Sequence, residues 1–240
     1  DQECGIRIRG NASRSFPQKS FTLFARKRYG NNTFASVFSD PDETYPTLIL
    51  NNSRTLAKTF FFRLVDDRDT AGQEYRPCQL FLNGEYWGMY YLMEKYSAEY
   101  LENHYQVPAS DILLIKDSEE IQSGNTEDYA CWQEVLDLFQ TDLSVPDNYT
   151  ALLDKVDIQS LIDWLCTNIY IANTDTRPLG GNVYTWRSIR PTGEDYNDGK
   201  WRWILYDLDD ALAVGTEYEN NESWKMDAFT DHAGYYPAGL

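Results

Sequence analysis

The chain opens on alternation. Over residues 4–9, Cys4, Ile6 and Ile8 fall on one face and Gly5, Arg7 and Arg9 on the other, which predicts a half-buried strand. Lys19 to Phe24 predicts a second strand, with Phe21 and Leu23 on one face, and Leu48-Ile49-Leu50 a short apolar third. Residues 54–66 shift to helical spacing through Leu56, Phe60, Leu64 and Val65. The clearest local signal follows. Cys78 to Leu82 and Tyr86 to Leu92 flank Asn83-Gly84, the pair that a primed two-residue turn requires, so the segment predicts a β-hairpin.

Beyond Glu94 the period lengthens. Ser97 to Tyr105 predicts a serine-capped helix, Ile112 to Ile115 a buried strand, and residues 149–155 a short helix. Residues 126–140 place Tyr129, Trp132, Val135, Leu136 and Phe139 on one helical face. Asp157 caps a further helix carrying Leu161, Ile162, Leu165, Ile169 and Tyr170. The stretch after Gly215 is polar and aromatic, with weak periodicity. The pattern predicts an α+β protein with a β-rich N-terminal lobe over 1–95 and a mainly helical lobe over 96–240. A cleft between two such lobes is a common place for a nucleotide.

Composition narrows this picture. With 240 residues, 42% apolar and 15% aromatic, the chain has material for a sizeable core. No apolar run approaches the roughly 20 residues of a membrane span. The start in Asp-Gln-Glu-Cys, just ahead of a strand, leads us to expect a piece excised from a longer protein. A net charge of −17 argues against nucleic acid or an anionic membrane as partner. That charge is uneven. Residues 1–30 hold Arg7, Arg9, Arg14, Lys19, Arg26, Lys27 and Arg28 against Asp1 and Glu3, a surplus of +5, which leaves −22 for the remainder. A basic segment facing an acidic one is what a metal-bound phosphate chain needs. Cys4, Cys78, Cys131 and Cys166 lie too far apart for a zinc motif. Glycosylation sequons begin at Asn11, Asn31, Asn51, Asn148 and Asn221.

The candidate chemistry is concentrated between Asn173 and Asp210. Asp175 lies on the loop that ends the helix from Asp157. Asn182 opens one β-rich run, and a second delivers Asp207 at its C-terminal end. Two carboxylates and a carboxamide are hard oxygen ligands suited to Mg²⁺, which completes its shell with phosphate oxygens and water. The order Asp, Asn, strand, turn, strand, Asp is also that of protein kinases, where the first Asp takes the acceptor's proton and the other two hold metal. Asp209 is placed to share the metal. Lys19 and Arg9 are candidates for the nucleotide phosphates. Glu94 either lines an adenine pocket or forms an ion pair. His104 reads as a lone surface residue. Asp207 and Asp209 also mimic the D-x-D nucleophile motif of haloacid-dehalogenase-type phosphohydrolases, but only 30 residues follow Asp210, too few for that sheet. A second rival is a non-catalytic kinase-like surface or scaffold domain, or a carbohydrate-associated binding domain.

Four blocks carry a resemblance. Gly5-x-Arg7-x-Arg9-Gly10-Asn11-x-Ser13-Arg14, Lys19-Ser20-Phe21-x-Leu23, Leu82-Asn83-Gly84-Glu85-Tyr86-Trp87-Gly88-x-Tyr90 and Tyr206-Asp207-Leu208-Asp209 are similar to those of the CotH family, spore coat protein H-like atypical protein kinases. The resemblance spans about residues 5–215. It implies a kinase-like bilobal fold, ATP with Mg²⁺ or Mn²⁺, and phosphate transfer to Ser or Thr hydroxyls of a protein substrate by a monomer at an extracytoplasmic or cell-surface location. Asp175 would then be the catalytic Asp, with Asn182 and Asp207 as metal ligands. The loop Thr176 to Gly181 is longer than the ordinary kinase gap between those two roles.

Overall fold

The computed structural model describes residues 1–52, 56–173, 175–209 and 211. Strand β1 (Gly5–Arg9), β2 (Ser20–Phe24), the short pair β3 (Phe34–Ala35) and β4 (Thr44–Tyr45), and β5 (Thr47–Asn52) precede helix α1 (Leu56–Leu64). Strands β6 (Tyr75–Leu82) and β7 (Glu85–Glu94) follow as the expected hairpin. Its turn residues Asn83 and Gly84 both take positive φ, 52° and 83°, as a primed turn demands. Five of these strands form one antiparallel sheet in the order β1-β2-β5-β7-β6.

The second half contributes α2 (Ala98–Tyr105), β8 (Ile112–Lys116), β9 (Glu120–Ser123), α3 (Ala130–Phe139), α4 (Pro146–Lys155), α5 (Ile158–Tyr170), β10 (Tyr184–Ser188) and β11 (Arg202–Ile204). The caps read from sequence are present: Ser97 accepts from the Tyr100 N–H, and Asp157 from those of Gln159 and Ser160. The half is richer in strand than its periodicity predicts, because β8 to β11 form a second antiparallel sheet in the order β11-β10-β8-β9. Three of its strands answer to runs read from sequence, at Ile112 to Ile115, after Asn182 and ahead of Asp207, and the unexpected one is the short polar edge strand β9. The largest apolar core draws on both sides of residue 95, joining Ile49, Phe61, Phe62 and Met93 to Leu113, Trp132, Leu161, Trp164 and Trp203. Among the described residues no helix is long and apolar enough to cross a membrane. Asp210, the Asn221 sequon and the stretch after Gly215 lie outside the described residues.

Two elements exist as expected but turn the other face inward. In β1, Ile6 and Ile8 are 50% and 46% exposed, whereas Arg9 is half-buried. β1 is an edge strand, and the side of it that faces the rest of the molecule is the one bearing Arg9. Among the side chains of α1 that the structure describes, Lys58, Thr59, Phe61 and Phe62 are buried, while Phe60 and Leu64 are exposed. A helix with Phe60, Phe61, Phe62 and Leu64 is apolar around most of its circumference, so spacing alone does not select the face that packs.

Candidate active site

Helix α5 is held against β11 by buried polar contacts as well as by its apolar face. The Trp164 indole N–H donates to the Ile204 carbonyl at 3.2 Å, and the Trp203 N–H donates to Ser160 Oγ at 3.1 Å. At the helix's C-terminal end a chain of carboxamides fixes the exit of the backbone. Asn168 Nδ2 donates to the Trp164 carbonyl, Asn173 Nδ2 donates to Asn168 Oδ1 at 3.0 Å, and Asn173 Oδ1 accepts from the Asp175 N–H at 3.4 Å. Both asparagines are buried, which makes their satisfied bonds structurally decisive, and Asp175 emerges exposed beyond them.

The long loop from Thr176 to Gly181 closes on itself. Thr176 Oγ1 donates to the Asn182 carbonyl at 2.7 Å, the Arg177 N–H donates to the Gly181 carbonyl, and the Pro178 carbonyl takes the buried Trp203 indole N–H at 2.7 Å. Its length therefore does not separate the residues at its ends. Asn182 Nδ2 donates to both the Asp175 carbonyl, at 2.9 Å, and Asp175 Oδ2, at 2.8 Å. With both amide hydrogens committed to Asp175, the Asn182 side chain has Oδ1 left as its acceptor.

Strand pairing sends Asp207 off the same end of the second sheet. Tyr184 of β10 pairs with Ile204 of β11 and Lys116 of β8. Asn182 therefore lies just before the start of β10, at the end of the sheet where β11 and β8 finish. β11 ends at Ile204 rather than at Asp207, so Asp207 leaves on a buried but irregular segment in which Leu205 and Leu208 are fully enclosed. Asn182 and Asp207 both hold φ at 55°, the left-handed region that Asn and Asp tolerate better than other side chains. Asp117, a residue the sequence did not single out, braces this end: its N–H donates to the Val183 carbonyl at 2.9 Å and its Oδ1 accepts from the Val183 N–H at 3.3 Å. Asp209 is half-buried in the turn that follows Asp207.

The first sheet meets this end through Tyr206. Arg9 Nη2 donates to the Tyr206 hydroxyl at 3.4 Å, and the Tyr206 ring stacks edge-on against Tyr184, with centroids 4.9 Å apart. Arg9 is thus the basic residue of the first segment that reaches Tyr206, the residue before Asp207. Lys19 is placed differently: its ammonium donates to the carbonyls of Arg14 and Phe16 at 2.7 and 2.6 Å, which caps the turn between β1 and β2. Glu94 is fully buried and forms the ion-pair alternative. Its Oε1 lies 2.8 Å from His104 Nε2, and its Oε2 accepts from the Glu74 N–H at 2.8 Å. His104 is accordingly a half-buried partner, not a solvated surface residue.

Among the described residues no group of three or more His, Cys, Asp and Glu side chains is arranged to hold a metal ion. The candidate set differs in kind: the carboxylate of Asp207, that of Asp209 two residues on, and the oxygen of Asn182. Such a sparse set of hard donors fits Mg²⁺, which takes one or two carboxylates and receives its remaining ligands from phosphate and water. Asp117 was missed by sequence reasoning because it belongs to no motif, and Tyr206, though it opens the Tyr206-Asp207-Leu208-Asp209 block, was given no role of its own. The only prior signal was their position beside strand ends. The family model described as CotH kinase protein matches residues 6–237. No curated protein matches the chain.

Proposed function

The chain belongs to the CotH kinase protein family, and from that premise we propose that it transfers the γ-phosphate of ATP to Ser or Thr hydroxyls of a protein. Mg²⁺ or Mn²⁺, bound with ATP, would neutralise phosphate charge as the transfer proceeds. Asn182 Oδ1 and Asp207 would hold that ion, with Asp209 close behind. Asp175 is exposed where an acceptor hydroxyl arrives, and it takes up the hydroxyl proton as the oxygen attacks phosphorus. Arg9 holds phosphate oxygens from the first sheet, and Lys19 keeps the preceding turn in shape. The two halves act as the two walls of the site. The observation that carries this reading is the Asp175–Asn182 hydrogen bond at the sheet end from which Asp207 also departs.

Incubation with γ-labelled ATP, Mg²⁺ or Mn²⁺ and a Ser-rich protein tests it. Label appearing on Ser or Thr, and abolished by EDTA, is the expected result. Absence of label with either metal would favour the non-catalytic scaffold reading, and label that persists without metal would remove Asp207 and Asn182 from the mechanism.

A further inference from the structure

Lys58 lies on α1 and is only 3% exposed. Among the described residues no hydrogen bond or ion pair holds its ammonium group. Its nearest company is aromatic: Nζ stands 5.2 Å from the Tyr206 ring centroid and 5.8 Å from that of Phe62. Ring faces hold a cation more weakly than a carboxylate partner does. An ammonium set among rings without a counter-charge, on a helix otherwise able to bury apolar residues there, points to an anion that completes it.

The neighbourhood agrees. Arg9 donates to the hydroxyl of the same Tyr206 whose ring faces Lys58, and the next residue is Asp207. Lys95, just beyond β7, is held below the usual lysine range by burial first and then by the positive charges of Arg9 and Arg7, with Glu99 opposing. Two cations, Lys58 and Arg9, therefore meet at one tyrosine, and a third, Lys95, lies close enough to Arg9 to feel its charge.

We propose that Lys58 and Arg9 form the phosphate-binding side of the site, gripping oxygens of the nucleotide's phosphate chain from α1 and β1, with Asp207 on the segment that follows β11. This rests on the phosphotransfer reading for the identity of the anion, but not for its existence. Tyr206 is then a spacer: its ring and hydroxyl keep two like charges apart and beside Asp207 when no anion is present. The assignment gives the principal phosphate lysine to a helix, not to the strand that carries Lys19.

Calorimetry with Mg²⁺–ATP, tripolyphosphate and adenosine on the wild-type protein, Lys58→Met and Arg9→Gln tests the inference. A charge-assisted contact of this kind corresponds to a loss of about 10–100-fold in affinity. Lys58→Met should lose that much for Mg²⁺–ATP and tripolyphosphate, keep its affinity for adenosine, and melt no lower than wild type. Arg9→Gln, on an edge strand where folding is not at stake, should lose about 10-fold for the same two ligands. If both variants bind Mg²⁺–ATP as the wild type does, the inference is overturned and the kinase reading stands. If the wild type binds tripolyphosphate through Lys58 but not Mg²⁺–ATP, the anion site stands and the kinase reading fails. If it binds neither ligand, both are wrong.

Discussion

Arg202 and Lys58 are both buried cations, and the protein treats them in opposite ways. The Arg202 side chain is 6% exposed and sits among carboxylates: Nη1 and Nη2 each donate to Asp198 at 2.9 Å, and Nη2 lies 3.0 Å from Asp157. It also lies over the rings of Tyr196 and Trp186. Every part of that arrangement is internal to the fold, since Asp157 caps α5 and Asp198 belongs to the turn between β10 and β11. Lys58 has the aromatic faces without the carboxylates. The difference teaches how to separate a charge that organises the fold from one that awaits a ligand. The first is bidentate and compensated from within the chain; the second is enclosed, faces rings, and is adjacent to a carboxylate-bearing loop.

The contrast is open to attack, and the largest effect expected is on stability. Arg202→Met strands Asp157 and Asp198 beside a newly apolar site. Removing one partner of a buried pair costs about 3–5 kcal/mol; because both aspartates retain some solvent, we expect about 2–3 kcal/mol here. Denaturant titration should show this as a lower midpoint with an unchanged slope. A midpoint within error of wild type would mean that Arg202 does not hold the turn to α5.

A second effect depends on pH. Burial works against a charged His104, but the hydrogen bond and charge of Glu94, with Glu43 and Glu74 behind it, raise its pKa above the ordinary histidine value. Burial likewise raises Glu94 above the usual carboxylate range, with His104 opposing. The pair therefore holds its proton more tightly folded than unfolded. That stabilisation is complete below the unfolded histidine value of about 6.5 and is lost as pH rises through the raised folded one. The melting temperature should fall between about pH 6 and pH 8, and His104→Gln should flatten that slope. An equally steep slope in the variant would assign the effect to other groups.

The smallest stability effect should come from Lys58→Met, which exchanges an unpaired ammonium for an apolar chain of similar length. The melting temperature should stay level or rise slightly. A drop as large as that of Arg202→Met would show that Lys58 serves the fold and would erase the distinction between the two cations.

Much of this architecture was legible in the residues. Asn83-Gly84 announced the hairpin, Ser97 and Asp157 announced their helices, and the pairing of Asp175 with Asn182 was suggested by their order before their hydrogen bond was known. What was not legible depends on distant partners. The inward face of β1 is set by Arg9 meeting Tyr206, 197 residues away, and the inward face of α1 by a core shared with β7 and α5. Lys58 within an apolar helix reads as a solvated interruption until the surrounding walls exist. Glu94 and His104 are ten residues apart, a spacing with no local meaning. Asp117 acts through the backbone of Val183, 66 residues later, and a side chain that holds a distant main chain leaves no motif.

The central claim is that Asp175 and Asp207 stand in one site with different tasks. It is tested most directly by measuring Mg²⁺–ATP binding and phosphate transfer side by side in Asp175→Asn and Asp207→Asn. Asp207→Asn should lose both, since the phosphate chain then lacks its bridging cation. Asp175→Asn should bind Mg²⁺–ATP as wild type does and transfer phosphate more slowly by about 10²–10⁴-fold, the usual contribution of a positioned base. Loss of metal binding in Asp175→Asn with its retention in Asp207→Asn would reverse the two roles. Unchanged transfer in both variants would contradict the account.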